Sequence, residues 1–322
     1  MKQKNNNTFG STYKHIRQAR KLSQHSVTKE KISRSSLSKF EHNKQTIYLD
    51  NFLSLLDELE LSFGEFMFID NNYQLTYADK LKDKFYQSHF TGNIPKYREL
   101  HKEIKNHLKE SYDWYLEVMQ HYLDFLIRLE TDATGQQAEK LEAFVVEIWE
   151  NMKSFEKWFI NDIRLLNVLI YYLPSKTADQ AIQMLIERAM HYEEADVLKS
   201  MIPSLYLNSS LVYIKNGMYH NASTYTDKAL ETIQKNHRYD FYITALIRKG
   251  TSTKEFIWIH KGLQLALDLN DHQLHECLNI EVINNVPMYF TKYPEDLENI
   301  EWSSENSEEH AYKFNGYYWF PL

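Results

Sequence analysis

The stretch Ile32–Gln45, "ISRSSLSKFEHNKQ", decides how the chain is read. It is polar and serine-rich, yet it carries basic residues in a protein whose formal net charge is −7. Ser33 supplies a helix N-cap, and Leu37 and Phe40 stand three residues apart, which puts both on one helical face. Once that face is buried, the opposite one shows Arg34, Ser35, Ser36, Ser38 and Lys39. Small serines let a helix approach a duplex closely, and Arg and Lys pair with guanine edges in a major groove.

Working outward, charge is unevenly spread. Residues 1–47 hold 11 Lys/Arg and two acids, a local charge of +9, so the rest of the chain carries −16. A basic head on an acidic body is the pattern of a small nucleic-acid-binding domain joined to something else. The chain has 322 residues, with 43% hydrophobic and 25% charged, enough for real cores. Gly (8) and Pro (6) are scarce, which favours an all-α fold, since sandwiches and α/β folds need many turn residues. The single cysteine, Cys277, rules out a disulfide within the chain and suits a reducing cytoplasm. No apolar leader and no run near roughly 18 apolar residues is present, so neither a signal peptide nor a membrane span is expected.

The head reads as five short helices: one over roughly Thr12–Lys21 capped by Ser11, with Tyr13, Ile16 and Ala19 inward; one capped by Ser23; one capped by Ser33. The fourth carries Leu49, Phe52, Leu53, Leu56 and Leu59 at a 3.6-residue period, and the fifth opens on a Ser62/Glu65 capping box with an apolar face of Phe63, Phe66 and Met67. A connector spans 70–95, helical around Tyr77–Tyr86. Helices are expected near 96–129, 136–151, 154–173, 177–193, 196–215, 219–235, 238–250, 253–269 and 272–285. The domain division is 1–69, a linker 70–95, and 96–322.

Paired helices call for a repeat test. "SLYLNSSLVYIKNGMYHNASTYTDKALETI" (Ser204–Ile233) resembles a tetratricopeptide repeat: Tyr206 and Ser210 take the large and small places, and Tyr213, Gly217, Tyr219, Ala222, Ala229 and Leu230 follow. Ile163–Ala189 is a looser copy aligned through Ala181, and Phe241–Asn270 a degenerate third. Such a body is an α-solenoid of helix pairs, whose first helices line a concave surface. The alignment puts Asn167 and Asn208 at one position on that surface, 41 residues apart. An amide there can hold a peptide backbone through both its donor and its acceptor. Ile170, Leu207 and Leu211 are expected beside them, with Lys215 near the end, a lining suited to an extended apolar peptide. Arg164 and Arg248 are candidates for a peptide carboxylate.

"IRQARKLSQ", "SRSSLSKFEHNK" and the leucine-rich fourth helix resemble the helix-turn-helix of the phage-repressor and Xre type over about Tyr13–Phe68. That resemblance implies an internal ion pair between Arg17 and Glu41, Asn43 as a left-handed cap where glycine is usual, base contacts from Arg34, Ser35 and Lys39, and backbone contacts from Gln24, Ser36 and Lys44. Arg20 and Lys21 add sequence-blind attraction. The turn before Ser33, "KEKIS", lacks the usual glycine and is a residue short, which leaves the tilt of the third helix open. One head covers a half-site, so a homodimer on a two-fold site is expected. An Xre-type head on a degenerate tetratricopeptide body is similar to the Rgg-type regulators of Gram-positive bacteria. This likeness implies a cytoplasmic homodimer that binds promoter DNA through the head and a short signalling peptide in the body.

No enzyme motif is present, and no cofactor or metal site is expected; "HQLHECL" (His272, His275, Glu276, Cys277) is a weak metal pattern. The aromatic "FNGYYWFPL" (Phe314–Leu322) either caps the solenoid or buries against a second copy. The rival to a peptide-responsive regulator is a helical-repeat scaffold that inhibits a protein partner, with the head only tethering.

Overall fold

The computed structural model describes residues 9–28, 32–88, 94–132, 134–236 and 238–293, and among them every regular element is helical. The chain divides into two compact units, Met1–Lys80 and Leu81–Leu322.

The first unit contains α1 (Phe9–Ala19), α2 (Gln24–Val27), α3 (Arg34–Glu41), α4 (Leu49–Asp57) and α5 (Phe63–Asp70), the five helices read from the sequence. Ser23, Ser33 and Ser62 each accept a hydrogen bond from the backbone N–H three residues on, at 3.0, 3.1 and 3.1 Å. Tyr13, Leu37, Phe40, Leu55, Leu56 and Phe66 form the core, and the Phe52 ring meets Phe66 edge-on at 4.9 Å. Three expectations are corrected. Ser11 lies inside α1 rather than capping it: Phe9, two residues before it, is already helical, and its ring packs on Phe66 at 5.5 Å. Ala19 is exposed. In α4 the apolar stripe is wider than the arc that neighbours cover: Phe52, Leu55 and Leu56 are buried, whereas Leu49 and Leu53 face out, as Phe63 and Met67 do on α5.

α6 (Tyr77–Ser88) occupies the expected connector; its first residues fall in the first unit and its later ones in the second, where Phe85 packs on Tyr122 at 5.9 Å. The second unit continues with α7 (Ile94–Leu108), α8 (Trp114–Leu129) and α9 (Gln136–Lys153). The helix expected over 96–129 is thus two helices, because the Asp113 carboxylate accepts from Leu116 N–H (3.1 Å) and starts a new N-terminus. Next come α10 (Ile160–Leu169) and a 3-10 turn (Ile170–Tyr172) in place of the one helix expected over 154–173, and then α11 (Ser175–Met190), the helix expected over 177–193. The pairs α12 (Asp196–Lys215) with α13 (Tyr219–Asn236), α14 (Tyr239–Thr253) with α15 (Phe256–Asp268), and α16 (His272–Asn285) with α17 (Tyr289–Lys292) complete the described body. Phe314–Leu322 lies outside the described residues, as do Lys29–Lys31 of the turn before Ser33.

The repeat residues do the packing expected of them. Between α12 and α13, Ser210 Oγ donates to the Ala222 carbonyl (2.9 Å), Ala222 and Ala229 are fully buried, and the Tyr213 and Tyr225 rings lie 5.2 Å apart. α12 ends on Gly217 at φ +71, with Met218 N–H bonded to Tyr213 O (2.8 Å) and Gly217 N–H to Ile214 O (2.9 Å), a Schellman closure. α14 and α15 cross through Gly250 and Gly262, where an added Cβ would stand 2.7 Å from Ile259 Cγ1 and 2.6 Å from Ile247 Cγ1. Each first helix also packs on the next, α10 on α12, α12 on α14 and α14 on α16.

Candidate DNA-reading face and polar tract of the body

In the head, α3 is fixed from behind. Arg17 and Glu41 form a bidentate pair, Nε to Oε1 at 2.6 Å and Nη2 to Oε2 at 2.7 Å, both side chains buried. Arg17 Nη1 also donates to the Leu22 carbonyl (2.5 Å), so one guanidinium ties α1, the α1–α2 turn and α3. The hydrogen bond from Arg17 to Glu41 raises the guanidinium pKa above its ordinary value, so its charge is permanent. Asn43 sits at φ +54 and its Oδ1 accepts from Ser11 N–H (3.3 Å), tying the end of α3 to α1. Gly10 is a partner the sequence reading missed: a Cβ there would fall 1.8 Å from the Phe40 carbonyl oxygen, so only glycine lets α1 lie this close to α3.

The outward face of α3 presents Arg34, Ser35 and Lys39 exposed, with Lys44 exposed just beyond its end. Ser35 and Ser36 hydroxyls lie 3.0 Å from Ser33 Oγ, which makes a hydroxyl cluster at the helix N-terminus. Gln24 is engaged inward, its Nε2 donating to Glu41 Oε2 (2.8 Å). Lys14 Nζ donates to His42 Nε2 (3.2 Å), which leaves Nδ1–H to donate to the Ser38 carbonyl (2.7 Å). Arg20 and Lys21 are exposed on the same unit.

In the body, the candidates join a polar tract that runs from α10 to α16. α10 stops early in the 3-10 turn, which frees its last carbonyls, and α12 covers them. Asn208 Nδ2 donates to Asn167 O (3.2 Å), and Lys215 Nζ donates to Tyr171 O (2.8 Å) while lying 4.3 Å over the Tyr171 ring. Loss of hydration lowers the Lys215 pKa from its ordinary value. Asn167 Nδ2 reaches Ser204 Oγ at 3.4 Å, but its Oδ1 is buried with no hydrogen-bond partner. On α14, Arg248 is 1% exposed; it bonds Glu281 of α16 through Nε and Nη2, both at 2.8 Å, and the Leu207 carbonyl through Nη1 at 2.7 Å.

Several sequence expectations change here. Arg248 is a paired structural link rather than an open receptor for a carboxylate, because Glu281 neutralises it. Ile170, Leu207 and Leu211 are buried in the packing between helices and offer no open lining. Arg164 stands apart from the tract, stacked 4.2 Å over the Tyr86 ring with Asp83 at 3.7 Å. Residues the sequence reading did not single out are Ser204, Tyr171, Glu281 and Asn279, whose Oδ1 is also buried without a partner. Glu281 carries no local signal, since its partner lies 33 residues away on another pair. In "HQLHECL", His275 is buried beside Asn279 (Nε2 to Nδ2, 3.1 Å), and no group of three metal-ligating residues occurs among the described residues. No helix among them is long and apolar enough to cross a membrane.

No protein-family model matches the chain, and no curated protein sequence matches it. Solved structures do. A candidate transcriptional regulator from Listeria monocytogenes EGD-e superposes with a TM-score of 0.69 at 18% identity, over 89% of this chain and 98% of that one. The SHP pheromone receptor Rgg2 of Streptococcus dysgalactiae does so at 0.62 and 16%, over 89% and 99%. PlcR of Bacillus thuringiensis, solved with the peptide PapR7 and DNA, gives 0.55 and 13%, over 91% and 99%. Identities this low carry the architecture alone, and the architecture is consistent from head to body: the chain is built on the fold of the Rgg-type and related pheromone-receptor regulators.

Proposed function

We propose that this protein is a sequence-specific DNA-binding transcription regulator whose helical body receives a short signalling peptide. It acts as a non-catalytic cytoplasmic homodimer. In this reading residues 1–69 bind DNA, 70–95 connect, and 96–322 sense and dimerise. The observation that carries it is the outward face of α3: Arg34, Ser35 and Lys39 stand exposed on a helix held from behind by the buried Arg17–Glu41 pair. A rigidly seated helix with free Arg and Lys is what major-groove readout requires. The fold neighbours include a protein solved with both a peptide and DNA, which supports the combination.

Arg34, Ser35 and Lys39 are assigned to bases, Ser36 and Lys44 to the backbone, and Gln24 to the backbone through the start of α2 while its own amide braces Glu41. For the peptide, the assignment narrows to Asn167, Asn208 and Lys215; the two amides are as buried as Ile170, Leu207 and Leu211, so a peptide N–H would reach the Asn167 Oδ1 as the contact between α10 and α12 opens. Mobility shift on the protein's own upstream DNA, with Arg34→Ala and Lys39→Ala as controls, tests the head; equal affinity for random DNA overturns it and leaves the tethered scaffold. Asn167→Leu tests the body against a panel of short apolar peptides. Peptide affinity is expected to fall while thermal stability holds or rises, because an unsatisfied buried acceptor is removed.

A further inference from the structure

The Asn167 acceptor is enclosed, yet the helix that encloses it is weak at one point. α12 carries Pro203 in its interior. Proline has no N–H to donate to the carbonyl four residues back, and its ring presses on that carbonyl, so a helix bends or loosens there. The segment before it, Asp196–Ile202, has little else to hold it. It follows turns and a bend at 191–195, where His191, Glu193 and Glu194 are exposed, and Ala195 at the N-cap offers no side-chain bond. The first N–H groups of a helix have no acceptor within it, so this segment lies between an uncapped start and a missing bond. Beyond Pro203 the helix is firmly seated: Leu205, Leu207 and Asn208 are buried, Asn208 bonds the Asn167 carbonyl, and Arg248 bonds the Leu207 carbonyl.

One hydroxyl bridges the two parts. Ser204 Oγ donates to the Met201 carbonyl at 2.8 Å, across the proline, and the same oxygen lies 3.4 Å from Asn167 Nδ2. Release of the Met201 carbonyl would free that hydroxyl directly beside Asn167, whose buried Oδ1 has no hydrogen-bond partner. A hydroxyl and an amide side by side offer a donor and an acceptor to an extended peptide backbone. We propose that Asp196–Ile202 is a strap hinged at Pro203 and latched by Ser204, that its opening uncovers Asn167, and that Ser204 then joins Asn167 in holding the peptide. The ligand part rests on the peptide-receptor reading; the hinge is tested without a ligand.

The reporter is Asn167→Cys in the full chain carrying Cys277→Ser, labelled with iodoacetamide in the folded state. Two further substitutions act on it in opposite directions. Pro203→Ala adds a backbone donor and removes the ring, so labelling is expected to slow by at least about tenfold. Ser204→Ala removes the latch, so labelling is expected to quicken by at least about threefold. Ala229→Cys, fully buried between α12 and α13, reports opening of the body as a whole and is expected to keep its rate in both variants. Equal labelling with and without Pro203→Ala overturns the hinge, and equal labelling with and without Ser204→Ala overturns the latch. Control rates that move in step with Asn167→Cys overturn both, since general stability then accounts for them. With Asn167 in place, the panel of short apolar peptides gives the second readout: Pro203→Ala is expected to slow association, and Ser204→Ala to quicken release. A peptide whose association and release are unchanged in these variants overturns the strap as its entry. No peptide binding by the parent, with labelling as expected, would instead sink the receptor reading and leave the hinge standing.

Discussion

Arg17 shows how much of the head rests on one side chain. It is buried, doubly bonded to Glu41 and bonded again to the Leu22 carbonyl. Arg17→Ala leaves Glu41 charged in a buried site, and urea unfolding should show a loss of about 3–5 kcal/mol, with the apolar pair Arg17→Met/Glu41→Leu recovering most of it. The pair itself was legible in the sequence through resemblance, whereas Gly10 was not, because its need appears only when the Phe40 carbonyl is placed beside it. Cys277 behaves differently. Burial pushes its thiol up to about 12. A thiol ionising that late holds little thiolate at pH 8, so iodoacetamide should label the folded chain far more slowly than the urea-unfolded chain.

Helix existence was readable from period and caps, and helix faces less so. Of the stripe Leu49, Phe52, Leu53, Leu56 and Leu59, the structure buries Phe52, Leu56 and Leu59, with Leu55 besides, and leaves Leu49 and Leu53 out, because neighbours cover an arc narrower than the stripe. The early end of α10 was equally hidden: nothing local in "NVLIYYLP" distinguishes a helix from a helix that tightens into a 3-10 turn, and the Asn208 and Lys215 bonds that accept its carbonyls arrive from 41 and 44 residues away. The α14–α15 crossing gives a test at this scale. A Cβ on Gly250 would meet Ile259 N at 2.9 Å and Glu255 O at 3.0 Å, backbone atoms that cannot rotate away. Gly250→Ala should therefore lower stability by about 1–3 kcal/mol by thermal unfolding, with the α12–α13 pair unaffected in hydrogen exchange.

For the molecule as a whole, the charge division is the strongest single clue that the sequence offers. Eleven basic residues in the first 47, on a chain of net charge −7, concentrate positive charge in the head, where the proposed DNA contacts lie. DNA affinity should fall steeply between low and physiological salt, and Lys44→Ala should reduce the slope of log affinity against log salt by about one while weakening specific and random DNA alike. Arg34→Ala should instead narrow the gap between them. For the proposed peptide site the sequence points to a region rather than to a lining, since Arg248, Ile170, Leu207 and Leu211 are buried between the helices of the body.

The succession of bonds from Asn208 to Asn167, Arg248 to Leu207 and Arg248 to Glu281 has a mechanical consequence. Along that edge α10, α12, α14 and α16 are joined one to the next by side-chain hydrogen bonds, whereas within the pairs Ser210 bonds the Ala222 carbonyl between α12 and α13, and α14 and α15 interlock at Gly250 and Gly262. A stack joined in this way along one edge has its neighbouring helices set by single bonds. A molecule that displaces the bond from Asn208 to the Asn167 carbonyl would remove the α10–α12 member of that series and leave the bonds of Arg248, which join α12, α14 and α16, in place.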